Sequence, residues 1–171
     1  MRWSSTPGLF ALALAAAMPA HPADSKPFYF FNILPDRFAQ YPSCDSPEAQ
    51  DHICKTGESG EGAARVIFME LRPEKPTYLT SNIWVGVSPE GRPTWFYVRT
   101  GGLQAQDAAL EYLQRTYGKP THIERVAKQN AFGAQFQGIV ANWTLPNGYS
   151  VDFEGIKDTV DEGEIKAVLP R

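Results

Sequence analysis

The sequence predicts an α+β fold: an antiparallel β-sheet with one main helix, about residues 103–117, packed on one face. Three observations carry this. Several short runs alternate apolar and polar residues with a period of two, before and after a single stretch of helical period. That stretch has one apolar stripe, Leu103, Leu110, Leu113 and Tyr117, widened by Ala109. Turn signals, Ser88-Pro89-Glu90-Gly91 and Asn147-Gly148, separate neighbouring strand-like runs closely enough for antiparallel hairpins.

At the start of the chain Arg2 gives a single positive charge, Leu9 to Met18 a short apolar run, Pro19 a break, and Ala20 and Ala23 small residues after it. This is the order of a secretory signal peptide over residues 1–23, cleaved after Ala17, Ala20 or Ala23. The run is shorter than the ~20 apolar residues that a membrane span needs. No cysteine near the cut offers a lipid anchor. Residues 24–171 are then expected to form one domain in the periplasm or outside the cell, with no stable membrane anchor. Residues 24–64 read as irregular. Phe28-Tyr29-Phe30-Phe31 with Ile33 and Leu34 must be buried as a strand or extended stretch, and Pro35, Pro42 and Pro47 punctuate the chain after it.

Val66 to Leu71 reads as a strand ended by Pro73. Tyr78 to Val87 reads as the next, with Ile83, Val85 and Val87 on one face. Thr94 to Arg99 is a third, Trp95 and Tyr97 on one side and Phe96 and Val98 on the other. The helix comes next, with Gln104, Asp107, Glu111 and Arg115 mostly off its stripe. Gly118 stands where a C-terminal cap belongs, and Pro120 forbids continuation. Thr121 to Lys128 can be a strand, and Phe132 to Gln135 a loop or bulge. Phe136 to Leu145 is a strand whose inward face is Ile139, Ala141, Trp143 and Leu145. Tyr149, Val151 and Phe153 alternate with polar residues after the Asn147-Gly148 turn. Glu164 to Leu169 closes the sheet with Ile165 and Val168 as core positions.

Charge and cysteines limit the function. The net charge is −3 and no basic patch forms, which argues against nucleic acid as a partner. Two cysteines, Cys44 and Cys54, lie ten residues apart in an exported chain and predict a disulfide across a polar loop. A zinc site from Cys44, Cys54, His52, Asp51 and Asp45 is the competing reading and requires free thiolates.

Other polar groups are weaker signals. His122 and Glu124 share one face of a strand, as a base with its orienting carboxylate, as two metal ligands, or as a solvated polar pair; the H-x-E deaminase signature lacks its P-C-x-x-C partner. Gly57-Glu58-Ser59-Gly60-Glu61 departs from the G-x-S-x-G elbow at its last position and reads as a mobile loop. Asp158, Asp161, Glu162 and Glu164 lack EF-hand spacing and read as a charged turn. Asn142-Trp143-Thr144 matches the glycosylation pattern but falls inside a strand. No cofactor is implied.

The aromatics are in excess. Tyr78, Trp84, Trp95 and Tyr97 cannot all share faces with Ile83, Val85, Phe96 and Val98. Either one sheet face exposes an aromatic binding surface, or a second layer such as Phe28–Phe31 covers it. The expected function is a non-enzymatic periplasmic binding module or inhibitor. Its partner would be an envelope protein, a peptide or a glycan. The alternative is an envelope hydrolase or metal-dependent enzyme using His122 and Glu124, joined by the acidic group Asp158, Asp161, Glu162 and Glu164. For an inhibitor, the Cys44–Cys54 loop would be the inserting element.

Thr100-Gly101-Gly102-Leu103, Tyr117-Gly118-Lys119-Pro120, Gln129-Asn130-Ala131-Phe132-Gly133-Ala134 and Trp143 before Pro146 occur together in this chain. In this set the chain resembles an uncharacterised family of small exported bacterial proteins with an aromatic N-terminal segment, a cysteine pair and a helix ending in Tyr-Gly-Lys-Pro. The resemblance covers most of residues 24–171 and implies an exported domain of this architecture, with no activity attached. The chain departs from it at Pro35-Asp36-Arg37, where the family has a Gly-rich turn.

Overall fold

The computed structural model describes residues 27–61, 65–72, 74–129 and 132–170. The segment read as a signal peptide lies outside these residues. Eight strands form one antiparallel sheet: β1 (Cys54–Ser59), β2 (Val66–Glu70), β3 (Ile83–Val87), β4 (Pro93–Thr100), β5 (His122–Gln129), β6 (Gln135–Thr144), β7 (Ser150–Glu154) and β8 (Gly163–Val168). Their spatial order is β1-β2-β3-β4-β8-β7-β6-β5. Two four-stranded meanders are thus joined where β4 pairs with β8. The chain must travel from β4 to the far edge, about 19 Å at four strand spacings. Helix α1 (Gln106–Tyr117), about 18 Å long at twelve residues, is long enough to carry it there. The α+β class and the single main helix are as the sequence predicts. Among the described residues no helix is long and apolar enough to cross a membrane.

The core lies between α1 and one face of the sheet. Ile83, Val85 and Val87 of β3, Phe96 and Val98 of β4, Ile139, Ala141 and Trp143 of β6, Val151 and Phe153 of β7, and Ile165 and Ala167 of β8 are buried there. Ala109 and Leu113 of the helix meet them. Fully burying each large apolar side chain contributes roughly 1.5–3 kcal/mol. The helix starts from a 3-10 turn, Gly102–Gln104, docked on the loop before β8 by a hydrogen bond from Leu103 N–H to the Val160 carbonyl, 2.8 Å. It stops at Gly118, whose φ of +81° suits glycine, and the Trp143 indole N–H donates to the Gly118 carbonyl at 2.9 Å. The helix cap therefore satisfies the one polar atom of a fully buried tryptophan.

The aromatic N-terminal segment is neither strand nor extended stretch. Phe30 and Ile33 exchange backbone hydrogen bonds of 3.0 and 2.9 Å around Phe31 and Asn32, both at positive φ (+48° and +66°). That is a two-residue hairpin turn without the usual glycine. Packing holds it: the Phe31 ring stacks on Tyr112 of the helix at 4.7 Å, and Phe30 stacks on Phe96 of the sheet at 5.2 Å.

Three further expectations change. Cys54–Ser59, in the stretch read as irregular and partly as a mobile loop, is edge strand β1, paired with β2 through a register shift near Gly57. Tyr78 to Val87 is not one strand. Ser81 interrupts it, its hydroxyl accepting the Arg99 N–H at 3.0 Å in place of a backbone carbonyl. Val168 is 38% exposed, whereas Leu169 is buried. Ile165 and Val168 are three residues apart, a helical spacing that puts them on opposite faces of a strand.

Candidate functional site

The opposite face of the sheet has no helix or strand packed over it among the described residues. Register places one continuous row across seven strands of that face. It runs Phe68, Trp84, Tyr97, Lys166, Asp152, Asn142, His122. The β2–β3–β4 half is aromatic and the β8–β7–β6–β5 half is polar. In the aromatic half Trp84 lies 5.4 Å from Tyr97, centroid to centroid, and 5.9 Å edge-on from Phe68. Trp95 completes the patch in the next row, opposite Gly86. A Cβ at Gly86 would fall inside the Trp95 indole, so the glycine leaves the room that the ring occupies.

Trp84, Trp95, Tyr97, Glu164 and Lys166 line an open depression of ≈ 280 Å³. Charges around it are mostly engaged. Lys157 reaches Glu164 at 2.8 Å and Glu154 at 3.4 Å. Arg99 reaches Glu162 at 3.2 Å and lies 5.6 Å over the Trp84 ring. Asn142 donates to Asp152 at 2.6 Å. The hydrogen bond and opposite charge of Glu164 hold the Lys157 ammonium well above its ordinary value. Lys166 has no such partner among the described residues.

The structure brings together Trp84, Trp95 and Tyr97, and separates Tyr78 from them. Tyr78 lies on the helix side, 6.4 Å from Phe31 and 6.0 Å from Tyr112, centroid to centroid. Burial and the neighbouring Tyr112 push its phenol well up. Its inclusion with the other three is therefore corrected, for the reason that broke the strand: Tyr78 precedes the interruption at Ser81 and does not follow the alternation of β3. The Phe28–Phe31 segment is a second layer, but on the core face, through Phe30 on Phe96 and Phe28 on Tyr149 at 4.3 Å.

Cys44 and Cys54 form a disulfide. They are also two members of the only trio of potential metal ligands within 4.8 Å of one another among the described residues, with Glu70. Both sulfurs are bonded to each other, so that trio and the zinc reading with His52 have no thiolates to offer. Inside the bridged loop Ala49 is buried, and Arg72 donates to its carbonyl at 3.3 Å. His122 Nε2 and Glu124 Oε2 are 3.8 Å apart on edge strand β5, each side chain more than half exposed. Of the acidic group near the C-terminus, Glu162 and Glu164 hold Arg99 and Lys157, while Asp158 and Asp161 face solvent. Ser59 is the last residue of β1.

Phe68, Gly86 and Lys166 were not singled out by sequence reasoning. The alternation of β2 and β8 assigns Phe68 and Lys166 to a face, but only the strand order makes them neighbours of Trp84 and Tyr97. No family model matches the chain, and comparison with curated proteins and with solved structures yields no match.

Proposed function

We propose that this chain is an exported, non-enzymatic binding module or inhibitor that captures its ligand on the open aromatic face of the sheet. One observation carries the reading: three large aromatic side chains, Trp84, Trp95 and Tyr97, stand together in a depression on a face that no helix or strand among the described residues covers. The three rings are half-buried and border the open depression; aromatic surface left accessible in this way marks binding sites, and tryptophan and tyrosine dominate binding energy where they occur. Export is supported by the signal-peptide order of residues 1–23, by the disulfide, and by the resemblance to small exported proteins. The periplasm is the compartment that suits all three.

The immobilised chain is expected to retain envelope protein, peptide or glycan from an extract. Trp84→Ala and Trp95→Ala should each reduce retention about tenfold while thermal unfolding stays cooperative. A wild-type chain that retains nothing ends the proposal.

A further inference from the structure

The two edges of the sheet are built differently. At β1 the outer side is covered where the strand begins: the Lys55 N–H donates to the Pro42 carbonyl at 2.8 Å, and the Lys55 carbonyl accepts the Cys44 N–H at 2.9 Å. A register shift near Gly57 then interrupts the strand. Covering and bulging are how a sheet edge is kept from pairing with another chain. β5, the strand at the other edge, shows neither among the described residues. It pairs with β6 over eight residues in unbroken register and contains no proline or glycine.

The free backbone groups of β5 follow from its neighbour. On β6, the Ile139 carbonyl accepts the Gly155 N–H from the β7 side. Bonding direction alternates along an antiparallel strand, so odd-numbered residues of β6 bond toward β7 and even-numbered ones toward β5. Register then bonds His122, Glu124, Val126 and Lys128 to β6. The N–H and C=O groups of Ile123, Arg125, Ala127 and Gln129 point out of the sheet, where no backbone group among the described residues meets them.

Charge decides what fits this edge. When β5 pairs antiparallel with a copy of itself about a two-fold axis, opposite residues share a face, so the axis passes through a residue. Centred on Glu124 or Arg125, it sets like charges against each other. Centred on Ile123 or Ala127, it overlaps less of the strand. Centred on Val126, it sets valine against valine, and Glu124 of each copy against Lys128 of the other. Ile123 then meets Gln129 and Arg125 meets Ala127, so the outward groups of all four residues bond across the axis. Within its own copy Glu124 has only His122, 3.8 Å away, and the β6 residues opposite β5 carry no charge. On the helix face Arg125 lies diagonal to its counterpart, but each is already paired with its own Asp107 at 3.8 Å.

We infer that β5 pairs with β5 of a second copy of this chain, antiparallel and centred on Val126, joining the two sheets into one. This goes beyond the binding reading, since the aromatic depression lies on β3, β4 and β8, away from this edge.

The full chain, expressed for export with its disulfide intact, is followed by sedimentation from about 1 μM to about 1 mM. It should reach twice the monomer mass and stop there, because an isologous contact closes. Amides of Ile123, Arg125, Ala127 and Gln129 should exchange more slowly as concentration rises, while those of β1 do not change. Glu124→Lys and Lys128→Glu each set like charges across the axis and should weaken the dimer about tenfold. Mixed together, the two variants restore both opposite-charge pairs and should dimerise with each other more tightly than either does alone. Unfolding midpoints close to that of the wild type keep the comparison between folded chains. A monomer throughout the range, growth beyond two copies, or a dimer that neither variant weakens overturns the inference. So does a mixture that associates no better than its components, or a dimer whose β5 amides gain no protection.

Discussion

Gln106 is the most buried polar side chain of the helix, and nothing in its sequence position announces it. It sits at the start of α1, where polar residues ordinarily face water. Here its amide donates to the Gln137 carbonyl and accepts the Ile139 N–H, both at 2.9 Å. It thereby satisfies two backbone groups of β6 just beyond the end of β7, and it fills the space above Gly155, where a Cβ would strike it. Gln106→Ala leaves a buried donor, the Ile139 N–H, and a half-buried acceptor, the Gln137 carbonyl, unmatched. It should cost about 2–4 kcal/mol, read from denaturant unfolding with an unchanged slope. A cost under about 0.5 kcal/mol, the size of an ordinary surface substitution, would show that the pairing is incidental. At the same scale the residues of the aromatic depression were only half legible. The alternation of Thr94 to Arg99 put Trp95 and Tyr97 on one side, as found, because period two is a local property. Tyr78 could not be placed, because the Ser81 hydroxyl that breaks the alternation acts through Arg99, eighteen residues away.

At the scale of elements, the helix and most strands were readable because each carries its own period and its own stop. Tyr117-Gly118-Lys119-Pro120 ends α1 as its residue types require. The Asn147-Gly148 turn joins β6 to β7, with Gly148 at a φ of +82°. β1 was missed because its residues, Cys54-Lys55-Thr56-Gly57-Glu58-Ser59, have no apolar alternation, and the strand exists by pairing with β2. The disulfide anchors this edge: Cys54 is buried at the start of β1, and the Cys44 N–H donates to the Lys55 carbonyl beside it at 2.9 Å. Cys44→Ser with Cys54→Ser should lower unfolding free energy by about 2–3 kcal/mol, the entropy of closing a loop of this length. Equal stability of the oxidised wild type and the double variant would remove the staple from the account. Loss of β1 pairing in the variant would appear as faster amide exchange confined to β1 and β2.

Over the whole molecule, burial of phenols ties stability to alkaline pH. Burial pushes up the hydroxyls of Tyr78, Tyr112, Tyr117 and Tyr149, whose ordinary value is 10.0. Tyr117 also donates to the Tyr29 carbonyl at 2.6 Å, pinning the N-terminal segment to the helix. Above pH 10.0 the unfolded chain releases phenolic protons that the folded chain keeps. The stability these groups contribute is therefore complete below pH 10.0 and is lost as pH rises through their folded values. Lys157, raised above 10.5, acts in the same direction. Denaturation midpoints should fall steadily above pH 10.0, and Tyr117→Phe should make that fall shallower although it starts from a lower midpoint. Midpoints that hold or rise across that range would contradict the burial of the cluster. By itself the sequence determined the α+β class, the helix and its cap, the pairing of Cys44 with Cys54 and the faces of Trp95 and Tyr97. Those depend on residue period, turn chemistry and the small number of partners a cysteine pair allows. Tertiary structure alone decided that β4 lies against β8, that the N-terminal aromatics cover the core face, and that Lys166 stands beside Tyr97. Strand order is set by which apolar faces α1 and the N-terminal segment can bury together, a long-range sum that no local window contains.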